Sequence, residues 1–136
     1  MTSQGHNLVG EPTGCDITLL PSDLTGDPGL EAFIDDGTPG NGHFPLLPTS
    51  PAIDAANDAA CPPIDQLGQS RIGRCDIGAI EFHADCADLA MIEASFGKHQ
   101  GQPGFDPGAD INQDGVVDVK DLAFVAQHLP AGTHCP

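Results

Sequence analysis

The residues best placed to do chemistry lie in one run: Asp110-Ile111-Asn112-Gln113-Asp114-Gly115-Val116-Val117-Asp118-Val119-Lys120-Asp121. Oxygen-bearing side chains fall at the first, third, fifth, ninth and twelfth positions, a glycine at the sixth, and Val116 at the seventh offers its carbonyl. A hard cation such as calcium takes about six to eight oxygens at roughly 2.3–2.6 Å, and alternate residues of a tight loop converge on one point to supply them. Gly115 permits the sharp turn. Four carboxylates within the run repel one another without a cation, and only Lys120 offsets them locally, so metal binding should be coupled to folding of the loop. The plainer reading is an acidic, solvated turn in which Asp118 caps the next helix. Agreement of five side-chain ligand positions, the glycine and the following helix favours calcium.

Such a loop must be held by elements on either side. Leu122, Val125, Ala126 and Leu129 form one helical stripe, and Leu89, Ile92 and Phe96 form another. The two stretches repeat: Asp85-Cys86-Ala87-Asp88-Leu89-Ala90 matches Asp118-Val119-Lys120-Asp121-Leu122-Ala123 at an offset of 33 residues. Each copy should present its apolar stripe to the other, with Gly97 ending the first helix and Pro130 the second. Val117 should point into the core, and Phe105 should anchor the connecting loop. Before residue 83 the grammar differs. Ile17-Thr18-Leu19-Leu20, Ala32-Phe33-Ile34 and Ile77-Gly78-Ala79-Ile80 are short apolar pieces broken by Pro, Gly, Asp and Asn, which reads as strands and turns.

The loop is of the EF-hand type, but its twelfth residue is Asp121, where the common EF-hand has Glu. Asp at that position followed at once by Leu, a second copy about thirty residues away and a short helix after each loop make Cys86 to Leu129 resemble the type I dockerin family. The resemblance implies a small helical module that binds calcium through Asp110, Asn112, Asp114, the Val116 carbonyl, Asp118 and Asp121, and that docks onto a cohesin domain. The first copy departs from the pattern. With Asp88 as position twelve and Asp85 as nine, Ile77, Ala79, Glu81 and Phe82 stand at one, three, five and six, so weak or no calcium is expected there.

The N-terminal segment carries Gln4-Gly5-His6-Asn7-Leu8, Asp27-Pro28, Leu46-Leu47-Pro48-Thr49-Ser50-Pro51-Ala52-Ile53-Asp54-Ala55, Asp65-Gln66-Leu67-Gly68 and Cys75-Asp76-Ile77-Gly78-Ala79-Ile80-Glu81. These phrases resemble the tail of exported bacterial surface proteins of the choice-of-anchor type. The resemblance implies a mixed β and α chain: residues 1–82 as the terminal coils of a right-handed parallel β-helix, then residues 83–136 as the dockerin-like module.

Twenty acidic residues against four basic ones, for a net charge of -16, disfavour nucleic acid and anionic membranes as partners and favour cations. No apolar run approaches the ~20 residues of a membrane span, and residues 1–6 lack the pattern of an export signal. Five cysteines nonetheless suggest an oxidising compartment, so an extracellular or cell-surface setting is expected, with this chain as the C-terminal part of a longer exported protein. Cys61 with Cys75 and Cys86 with Cys135 are the expected disulfides, alongside a reading as buried thiols; Cys15 is then left over.

The chain has no Gly-x-Ser-x-Gly, His-Glu-x-x-His or Gly-x-Gly-x-x-Gly pattern. His83 with Cys86, or His134 with Cys135, forms no zinc-finger spacing. The absence of Trp and Tyr removes the usual platform for a sugar. The expected function is therefore non-catalytic: a calcium-ordered attachment region. The competing expectation is the tail of a β-helical polysaccharide-degrading enzyme whose active site lies upstream.

Overall fold

The computed structural model describes residues 1–136, which divide into two compact units, Met1–Glu81 and Phe82–Pro136. No helix is long and apolar enough to cross a membrane.

The first unit overturns the expected β-helix. Its only regular strands are β1 (Leu8–Val9) and β2 (Leu24–Thr25), of two residues each, paired in parallel with Leu8 opposite Leu24. A parallel bridge from Thr2 to Thr18 keeps the same register, and the remaining pairings, Leu30 with Leu46, Ile34 with His43 and Ile64 with Ser70, are antiparallel. Of the expected strands, Thr18 and Ile34 make single bridges and Ile77–Ile80 makes none. The cause is local. Nine of the thirteen prolines lie before residue 82, and each removes a ladder donor and restricts the residue before it. Stacked coils need about three or more repeats to cover one another, and this ladder never extends past one pairing.

Polar groups and a disulfide hold the unit where strands do not. Cys61–Cys75 closes its loop, and the small apolar core is Leu46, Ala52, Ile53 and Cys75. Beside it Glu81 is buried, accepting from Arg71 Nη1 at 2.8 Å, from the Ile72 amide at 2.9 Å and from the Asp76 amide at 3.2 Å. The buried Asp65 carboxylate accepts from the amides of Leu67, Gln69 and Glu81. Gly29 is needed where it is: its φ is +61°, and a Cβ there would lie 3.0 Å from the Ser50 Cα.

The second unit is built on α1 (Cys86–Ser95) and α2 (Val119–His128), whose first residues are offset by the 33 residues of the sequence repeat. Both begin in the same way. Asp85 accepts from the Ala87 and Asp88 amides while Asp88 accepts from the Asp85 amide, and Asp118 and Asp121 repeat this capping box on α2. Gly97, at φ +75°, turns the chain after α1, and Pro130 follows the last residue of α2's cap. Ile92, Val117 and Val125 are fully buried, each contributing about 1.5–3 kcal/mol of burial energy. Phe82, Phe124 and His128 cluster beside them, with Phe124 and His128 ring centroids 4.3 Å apart. Cys86–Cys135 ties the end of the chain to the start of α1. Cys15 alone is free, and it is exposed.

The two stripes meet only at their centres. Phe96 is 50% exposed and Leu122 37%. Phe96 is the cap of α1 with ψ 133°, so its side chain leaves the helical row. A groove of about 570 Å³ opens there, lined by Leu89, Ala90, Phe96, Leu122 and the Cys86–Cys135 pair. Phe105 is half-buried.

Candidate metal centre

The run from Asp110 to Asp121 folds as a closed loop in which its first and last residues hold the backbone between them. Asp110 accepts from the amides of Asp114 (3.1 Å) and Gly115 (2.9 Å). Asp121 accepts from Ile111 (2.8 Å) and Asn112 (3.3 Å) through one oxygen and from Asp118 (2.8 Å) through the other. The twelfth position thus clamps the second, third and ninth. Gly115 has φ +88°, and Gln113 also sits in the left-handed region at +57°. Val117 faces the core as its pattern predicts: its amide donates to the Lys98 carbonyl and its carbonyl accepts from Gly97, while Val116 bridges to His99.

Asn112 and Asp114 form the exposed side of the loop. The Asp114 amide donates to Asn112 Oδ1 at 3.0 Å, and Asn112 Nδ2 donates to Asp114 Oδ2 at 3.0 Å. Lys120 reaches back so that Nζ lies 2.9 Å from Asp114 Oδ2 and 3.9 Å from Asp118 Oδ2. The lysine's hydrogen bond, followed by that of Asn112, holds the Asp114 carboxyl below the usual carboxylate range, and the same contact raises the Lys120 ammonium. The sequence shows Lys120 only as a local offset of charge; its fork between two carboxylates depends on loop curvature that spacing alone does not give.

Asp110 and Asp121 are buried, the latter to 1% exposure, and neither takes part in an ion pair. Backbone amides supply all of their hydrogen bonds, and Lys120 also feels the Asp121 charge. The donor set is entirely hard oxygen: four carboxylates, the Asn112 amide and the Val116 carbonyl. That chemistry fits calcium and not a metal that prefers nitrogen or sulfur. No three or more His, Cys, Asp or Glu side chains gather as a ready metal-holding group anywhere in the chain. In the loop the carboxylates are turned to backbone amides and to Lys120.

The first copy builds no comparable loop. Asp85 and Asp88 serve as helix caps, and burial raises the Asp88 carboxyl above its usual range. Glu81, at position five of that copy, is engaged by Arg71 at 2.8 Å. Both cysteines of the His83/Cys86 and His134/Cys135 pairs are consumed by one disulfide, so zinc ligation through their thiolates is closed off. Compared with known proteins, the chain matches no family model, no curated protein and no solved structure.

Proposed function

We propose that the Asp110–Asp121 loop binds one calcium ion, which orders residues 82–136 as a non-catalytic attachment module that docks onto a cohesin-like protein domain. The observation that carries the reading is Asp121: it is almost wholly buried, holds both ends of the loop through three amides, and makes no ion pair. Asp110, Asn112, Asp114, Asp118 and Asp121 would hold the ion with their side chains, and Val116 with its carbonyl. Calcium would supply a fixed double positive charge that offsets the loop's anionic field. The two disulfides fit an oxidising, extracellular setting, where free calcium near the millimolar level suits weak loops of this kind.

Calorimetric titration of the whole chain with calcium should give a stoichiometry of one. Asp114→Asn should weaken binding at least about tenfold by removing one of four charged ligands, and Asp110→Ala should abolish it. No heat up to roughly millimolar calcium would sink the calcium claim. Docking is tested separately by capture on an immobilised cohesin domain, expected with calcium and lost with chelator. Calcium binding without capture would leave the loop as a structural clasp.

A further inference from the structure

The lysine inside the loop has a role that helix stability does not explain, and this inference rests on the calcium reading above. Lys120 is one of only four basic residues in the chain. It is the second residue of α2, where the partial positive charge of a helix N-terminus disfavours an ammonium. Its Nζ nevertheless lies 2.9 Å from Asp114 and 3.9 Å from Asp118, two carboxylates of the proposed ligand set. The side chain is 63% exposed, so it can leave both contacts for water without opening a hole in the core.

We propose that Lys120 is a tethered competitor for the calcium site, neutralising Asp114 and Asp118 when no ion is bound and setting the affinity of the loop by the contact it must give up. An ammonium and a calcium ion repel each other and draw on the same Asp114 carboxylate, so one displaces the other. An exposed ion pair has modest worth, which translates into a modest factor in affinity: removal of the lysine should tighten calcium binding about twofold to fivefold at low ionic strength. The lysine also becomes a free basic group beside the loop only when calcium is bound, which gives the module a charge pattern that differs between its two states.

The experiment compares the intact chain with Lys120→Gln and Lys98→Gln, the second removing the same charge from outside the ligand set. Calorimetry at low salt should show tighter calcium binding for K120Q and unchanged affinity for K98Q. In chelator, K120Q should melt at a lower temperature than the parent by circular dichroism, because its carboxylates lose their cation. Calcium heat from all three proteins with K120Q equal to or weaker than the parent overturns the role of the lysine alone. Equal tightening in K98Q overturns it too, since bulk charge then suffices. No heat from any of them removes the calcium reading and this one with it.

Discussion

Asp23 is half-buried and ties two separate stretches of backbone together. One oxygen accepts from the Asn7 amide and the Asn7 side chain, both at 3.0 Å, and the other from the Leu20 amide at 2.6 Å. The Leu20 bond first, then the Ser3 hydroxyl, hold its carboxyl far below the ordinary 3.8. A depressed carboxylate contributes stability that is fully present above its unfolded value and is lost as pH falls through the folded one. Melting temperature should therefore drop as pH falls below about 4, and Asp23→Asn should both lower stability at pH 7 and make that acid-side decline shallower. Parallel curves for parent and variant from pH 7 to 2 would show that Asp23 contributes nothing. At this scale the sequence was informative for the closure of the Asp110–Asp121 loop, whose acidic residues and Gly115 are spaced within twelve positions. It was silent on Asp23, whose partners lie three and sixteen residues away and follow no repeat.

The two helices show what an element-scale pattern can and cannot convey. Only the cap of α2 was legible, and only in the plainer reading of the loop with Asp118 at the helix start; Asp85 with Asp88 and Asp118 with Asp121 close the same capping box. Their environments differ. Asp88 is half-buried and serves α1 alone, whereas Asp121 also binds the amides of Ile111 and Asn112. Asp85→Ala should accordingly cost about 1 kcal/mol of stability and leave calcium affinity within twofold of the parent. On the proposed calcium reading, Asp118→Ala should cost a similar amount in chelator and considerably more at saturating calcium, where cap and proposed ligand are lost together. Chemical denaturation of both variants with and without calcium measures the difference; equal costs in the two conditions would separate Asp118 from the metal. The strands illustrate the opposite case. Apolar tetrads such as Ile77-Gly78-Ala79-Ile80 look like strand segments, but a strand exists only with a partner of matching length. Prolines and left-handed glycines prevent that length from accumulating.

At the scale of the whole molecule, neither unit has the apolar interior that usually stabilises a domain. In units this small a core alone seldom suffices, and staples or metals make up the difference. The Cys86–Cys135 bridge spans 49 residues, and the chain-entropy argument assigns it about 4 kcal/mol, against about 3 kcal/mol for the 14-residue span of Cys61–Cys75. Calcium at a hundredfold excess over its Kd would add only about 2.7 kcal/mol. On the proposed calcium reading the disulfide outweighs the ion, and calcium should rescue its loss only in part. With Cys86→Ser and Cys135→Ser combined, far-UV circular dichroism should show α1 and α2 melting well below the parent in chelator. Saturating calcium should recover some, not all, of the shift. Full recovery would mean that the ion, and not the bridge, is the principal restraint on Phe82–Pro136; an unchanged melt without calcium would mean that the packing around Ile92, Val117 and Val125 already suffices.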